Sequence, residues 1–216
     1  MKLFKYNQFI NESNQDIHFI CKEYGIKNYS INDDGSVDVD GDVDLSDKGL
    51  TKLPLKFRKV SGDFNCDNNQ LTSLEGCPQK VGRDFYCSNN KLTSLEGSPQ
   101  SVGGSFYCDD NKLTSLEGSP QSVGGNFSCD NNKLKDVYGL KEGFKIGGDI
   151  YLYDNPVYEI FKLFPEYRYS EVIEYLNEYE VVRDGNKVIL QALEMVFEEM
   201  VLEVPEIEYI EGYEII

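Results

Sequence analysis

The chain has 216 residues and sets 38 acidic side chains against 21 basic ones, for a formal net charge of −17 at pH 7. That balance excludes direct grip on a phosphate backbone and attachment to an anionic membrane surface, both of which need clustered Lys and Arg. It leaves basic partners, or imitation of nucleic acid, open, and the length allows one elongated domain with end caps.

No stretch approaches the roughly 20 apolar residues of a spanning helix, and the first residues are too polar for a secretory leader. Residues 1–38 read as a leader, a capping helix and a hairpin. From Asn14 to Tyr24 the apolar residues Ile17, Ile20, Cys21 and Tyr24 share one helical face, with Ser13 as N-cap and Gly25 as the stop. The only histidine, His18, lies off that stripe and reads as solvated. Tyr29–Ile31 and Val37–Val39, joined by Asp33-Asp34-Gly35-Ser36, predict a hairpin. Asp38, Asp40, Asp42 and Asp44 then alternate with Val39, Gly41 and Val43, which predicts four acids on one strand face. A calcium loop would need glycine where Val43 stands.

Residues 39–156 repeat one unit. Cys66, Cys87, Cys108 and Cys129 recur every 21 residues, and Phe85 to Pro99 returns almost verbatim one unit later. A period in the low twenties means a solenoid, whose short coils cannot bury their apolar sides alone. Phe85 and Cys87 alternate with Tyr86 and Ser88, the period of a short strand with one buried face. Stacked copies then form a parallel sheet with strands about 4.8 Å apart. Six strands are expected, beginning near Val43, Phe64, Phe85, Phe106, Phe127 and Ile150. The last follows after 23 residues rather than 21, so two residues are added between Tyr138 and Lys145. Asn69, Asn90, Asn111 and Asn132 fall three residues after each Cys and predict a buried ladder that bonds turn backbone. Gly103-Gly104 permits close backbone approach before the next strand. The four column cysteines point inward as small hydrophobes in a reducing compartment. Cys77, standing where Ser98 and Ser119 stand, is expected at the surface. Without a CxxC pair, zinc is not expected.

Phe85-x-Cys87-x-x-Asn90-x-Leu92 followed by Leu95 resembles the leucine-rich repeat signature, in the short form found in bacterial effectors and bacteriophage proteins. The resemblance implies an α/β solenoid with about six parallel strands, an N-terminal helical cap and C-terminal helices. It also implies use of the exposed sheet face for partners. Effectors of this kind can carry a cysteine ligase domain after the repeats; no Cys follows Cys129, so that activity does not carry over.

Residues 157–202 read as a helical cap: a short helix from Val157 to Phe164, a second capped by Ser170 and running to Tyr179, a turn at Asp184-Gly185-Asn186, and a third helix from Lys187 to Leu202. The third should turn Val188, Ala192, Met195, Val196 and Met200 inward. Residues 203–216 alternate Glu with Val, Ile and Tyr, as an edge strand or an acidic tail would.

No catalytic constellation is present, so the reading is a non-enzymatic protein without a cofactor or metal. Its candidate binding face is the outward side of the strands. The middle column is Asp44, Asn65, Tyr86, Tyr107, Ser128 and Tyr151, flanked by Asp63, Asp84, Asp109, Asp130 and Tyr153. Tyrosines among acids suit a protein ligand with basic and apolar groups. Met1-Lys2, Phe9-Ile10 and Glu12 resemble the capsid-targeting leader of internal head proteins in T4-like phages. That resemblance implies cleavage between Glu12 and Ser13. Three readings follow: a phage-encoded protein that binds a host protein, a defence factor included, in the host cytoplasm; an acidic DNA mimic; and a packaged or structural virion protein. The partner is a host or virion protein, with no direct nucleic-acid or membrane contact and an oligomeric state the sequence does not specify.

Overall fold

The computed structural model describes residues 15–140 and 143–216; the leader, with Glu12 and Ser13, lies outside them. The repeats form a parallel-strand solenoid, and each coil supplies two short strands where one was expected. Sheet B contains Val43–Asp44, Phe64–Asn65, Phe85–Tyr86, Phe106–Tyr107, Phe127–Ser128 and Ile150–Tyr151, the six anticipated strands, all parallel. Sheet A runs along a second side through Val37–Val39, Phe57–Val60, Lys80–Val81, Ser101–Val102, Ser122–Val123 and Lys145–Ile146. Tyr29–Ile31 joins its first edge antiparallel, closing the predicted hairpin with Tyr29 opposite Val39. The signal for sheet A was one apolar residue per coil (Val60, Val81, Val102, Val123), too sparse to show alternation.

The register explains the duplication. Phe64, Phe85, Phe106 and Phe127 face one another across successive strands, and their rings stack at 5.6, 5.1 and 5.3 Å between centroids. Each is essentially buried, worth about 1.5–3 kcal/mol of apolar transfer per ring. Ile150 takes the next place opposite Phe127, so the two added residues are absorbed outside the strands. Val60, Val81, Val102 and Val123 line the core from sheet A, and Leu71, Leu92, Leu113 and Leu134 from the third side.

Between the sheets the chain turns so tightly that neighbouring coils touch backbone to backbone. A Cβ on Gly103 would lie 2.3 Å from the carbonyl oxygen of Gly82, and one on Gly124 2.2 Å from that of Gly103. At these two corner positions only glycine fits. The same corner separates the acids expected on one strand face. The chain bends at residues 40–42, leaving Asp38 on sheet A, ion-paired with Arg58, and Asp44 on sheet B.

The Asn ladder supports the opposite end of sheet B. The Asn111 amide donates to the carbonyls of Cys87, Cys108 and Asp109 at 3.0–3.1 Å, and its oxygen accepts from Leu92 N–H at 3.0 Å. Asn69, Asn90, Asn132 and Asn155 repeat the pattern. The preceding residue in each coil is left-handed (Asn68, Asn89, Asp110 and Asn131, φ 51–55°). Asn and Asp tolerate that region best among residues with a side chain, which accounts for the Asn-Asn and Asp-Asn doublets.

The column cysteines are fully buried and free. Cys77 is buried too, at 7 % exposure, contrary to its expected surface place. It lies against Cys66, and burial pushes its thiol well up.

Helix α1 (residues 15–23) lays Ile17, Ile20, Cys21 and Tyr24 against the core. It ends in a Schellman turn, with Gly25 N–H bonded to Lys22 and Ile26 N–H to Cys21. The C-terminal part is a mixed α/β unit. Helix α2 (Tyr158–Phe161) follows the last coil, and Val157 N–H is tied to the coil before it through the Leu134 carbonyl at 2.9 Å. A 3₁₀ turn (Glu166–Arg168) then leads into α3 (Tyr169–Glu178), so Ser170 lies inside that helix rather than capping it. The expected third helix is shorter. Lys187–Val188 form a strand against Val182–Arg183, and α4 runs from Leu190 to Glu199. Its inward residues include Leu193 and Phe197, while Met195 is 40 % exposed, not buried as expected. Within residues 203–216 only Glu214–Ile215 form a strand, which pairs parallel with Lys187–Val188; residues 203–213 are irregular. Tyr213 is buried there and its hydroxyl donates to the Lys135 carbonyl at 2.6 Å.

Candidate functional site

Two outward columns flank the middle of sheet B, and both have backbone work. Asp63 N–H donates to Asp42 Oδ1 in the previous coil at 2.9 Å, Asp84 N–H to Asp63 at 3.0 Å, and Ser105 N–H to Asp84 at 2.6 Å. Ser105 Oγ and Asn126 Oδ1 continue the series to Asn126 and Asp149. On the other side Asp67 accepts from Ser88, Ser88 from Asp109, Asp109 from Asp130 and Asp130 from Tyr153, at 2.6–3.2 Å. Each amide sits at a strand end, where a ladder bond is missing and an unpaired donor would be costly. A short acceptor one coil back satisfies it, which is why these columns contain Asp, Ser and Asn. Asp63, Asp84, Asp109 and Asp130 therefore hold the coils together as well as colouring the surface.

That duty has an electrostatic cost. Partial burial, followed by neighbouring carboxylates that include Asp109, pushes Asp67 and Asp130 up to about 6 despite the amide each accepts. Asp109 further accepts the Ser128 hydroxyl at 2.5 Å. Ser128, expected at the surface, is only 7 % exposed. The three columns hold Asp42, Asp44, Asp63, Asp67, Asp84, Asp109, Asp130 and Asp149, with no Lys or Arg. Among the described residues none of these acids belongs to an ion pair.

Along the middle column Tyr86 and Tyr107 lie half-exposed and parallel, centroids 5.0 Å apart with 8° between planes. Tyr86 donates to Asp84 Oδ2 at 3.0 Å, and burial together with that acid lifts its phenol to about 12. Asp44 and Asn65 bond backbone within their own turns, through Ser46 and Asp67. Tyr151 and Tyr153 continue the aromatic run at 6.2 Å, and the Tyr153 hydroxyl bonds Glu166.

Sequence reasoning missed Glu166 and Tyr167. Together with Asp149, Ile150 and Tyr151 they line a recess of about 350 Å³ at the last coil. Nothing periodic marks the 3₁₀ turn that brings them there. Among the described residues no group of three His, Cys, Asp or Glu is placed to hold a metal, and no helix is long and apolar enough to cross a membrane. No protein-family model matches the chain, nor does any curated protein or solved structure.

Proposed function

We propose that this chain is a non-enzymatic binding protein of the leucine-rich repeat type whose sheet B face engages a basic protein partner. One observation carries the reading: Tyr86 and Tyr107 are held parallel and half-exposed above a field of carboxylates that contains no cation. Paired tyrosines offer area at low entropic cost, and the field steers a positively charged surface toward them. The Asn ladder at the strand ends supports the repeat-family assignment; the second parallel sheet is where the chain departs from the expected pattern. The leader-like first residues support a phage-encoded protein acting on a host protein, such as a defence factor, in the host cytoplasm. Pull-downs from bacterial lysate with wild type and with Tyr86→Ala plus Tyr107→Ala test the face. Loss of a specific partner is expected, and retention of every partner removes the face from consideration.

A second reading, imitation of DNA, is favoured by the two flanking rows in which aspartates recur from coil to coil. It predicts competition with duplex DNA for the partner and a complex that weakens steeply with salt. The packaged-virion reading rests on the leader resemblance alone, and mass spectrometry of purified particles tests it through a mature N-terminus at Ser13.

A further inference from the structure

We propose that the recess at the C-terminal end of sheet B receives one arginine side chain of the protein partner. This rests on the protein-binding reading above and assigns the contact to a place. Tyr151 and Tyr167 supply two aromatic walls, and Asp149 and Glu166 two carboxylates, around a space of about 350 Å³. Tyr167 is 82 % exposed, on a turn that ends in the well-anchored Arg168. A large ring left in water while lining a recess is not accounted for by packing within the chain.

Charge decides the occupant. Neither Asp149 nor Glu166 has an ion-pair partner among the described residues. The basic residues within four positions of Glu166 in the chain are already committed: Lys162 to Glu159 at 2.6 Å, and Arg168 to Glu171 through two bonds and to the Met200 carbonyl at 2.7 Å. Burial, then Asp149 and Glu166, raise the Tyr151 phenol. The bond to Glu166 is foremost in lifting Tyr153 to about 12, so two neighbouring hydroxyls sense the negative field. A planar guanidinium can lie on a tyrosine face while donating edgewise to carboxylates. A lysine ammonium is more strongly hydrated and lacks the flat surface. Carboxylates alone would accept either cation; ring walls beside them favour arginine.

Fluorescence anisotropy of the full chain with a fluorescein-labelled peptide of alternating Gly and Arg, and with its Lys and citrulline counterparts, tests this. The arginine peptide should bind more tightly than the lysine peptide, and the uncharged citrulline peptide should not bind. Tyr167→Ala should weaken the arginine peptide about fivefold, Glu166→Gln should weaken it too, and Tyr167→Phe should retain wild-type affinity. Equal binding of the Arg and Lys peptides, an unchanged affinity in Tyr167→Ala, or no binding to wild type would overturn the recess. If Tyr86→Ala plus Tyr107→Ala loses the peptide while Tyr167→Ala keeps it, the recess falls and the tyrosine face stands. If both variants bind as wild type does, both fall.

Discussion

Sheets A and B are built by the same coils and share the same core, yet their outer faces have opposite characters. On sheet A the outward column reads Lys59, Lys80, Ser101, Ser122 and Lys145, and its one acid at the start, Asp38, is paired with Arg58. On sheet B the corresponding column reads Asp44, Asn65, Tyr86, Tyr107, Ser128 and Tyr151, between two rows of acceptors. The inner faces differ as well, with stacked phenylalanines and cysteines under B and valines under A. Stability alone asks only that inward positions be apolar and that strand-end amides be satisfied. It does not ask for stacked tyrosines on one side and serines on the other. The asymmetry is the feature on which the proposed binding role of sheet B rests.

The comparison can be broken from the inside first. Phe106→Ala should cost about 4 kcal/mol, against roughly 2 kcal/mol for Val102→Ala in the same coil on sheet A. Equal losses in urea unfolding would mean that the phenylalanine stack is not the heavier half of the core. Asn111→Ala comes next, at about 3 kcal/mol, because it strands the buried Leu92 amide and leaves the Cys87, Cys108 and Asp109 carbonyls with one donor each, from Asn90, Asn132 and the Asn89 N–H. Asn111→Asp should fare little better, since a carboxylate cannot donate to those carbonyls.

The acid rows give a smaller effect with a definite sign. Asp67 and Asp130 are raised to about 6 in the folded chain, against about 3.9 when unfolded. The folded state therefore binds more protons between those values, so this contribution is fully present below about 3.9 and is lost as pH rises through about 6. Asp34, Asp38, Asp44 and Asp184 are shifted down, chiefly by hydrogen bonds to their neighbours, so their contribution is lost only as pH falls through those lowered values. Melting temperature should peak on the acid side of neutrality, at about pH 4–5. Asp67→Asn and Asp130→Asn keep the acceptor and remove the charge. Each should raise stability at pH 7 by about 1 kcal/mol or less, given how far solvent screens these half-exposed groups, and flatten the slope between pH 4 and 7. No comparable slope should come from sheet A. Tyr86→Ala plus Tyr107→Ala should likewise change stability by only about 1 kcal/mol, so that loss of a partner reports contact rather than unfolding.

Much of sheet B was legible because one chemical demand recurs every 21 residues. Phe and Cys at alternate positions, then Asn three residues on, could be satisfied together only by stacked parallel strands with a backbone-bonding ladder. Sheet A was hidden because each of its middle strands, as short as those of sheet B, carries a single inward Val with no second apolar residue two positions on. Cys77 misled because its column holds Ser98 and Ser119, which suggests solvent; Ser119 is in fact fully buried as well. In the candidate site the tyrosine column could be read from alternation. The second duty of Asp63, Asp84, Asp109 and Asp130 could not, since an acid that accepts an amide from the next coil looks in sequence like any surface acid. A column restricted to Asp, Ser and Asn was the available clue.

Sequence alone determined the repeat, its six sheet B strands, the inward cysteines, the asparagine ladder and the excess of acid, because each is a periodic requirement that every coil states again. Tertiary structure decided what happens where periodicity stops. It turned the last residues into a strand beside Lys187–Val188 and brought Glu166 and Tyr167 to the edge of Tyr151. Those contacts join residues 15 or more positions apart through a unit with no repeat of its own (166−151), so packing alone chooses them.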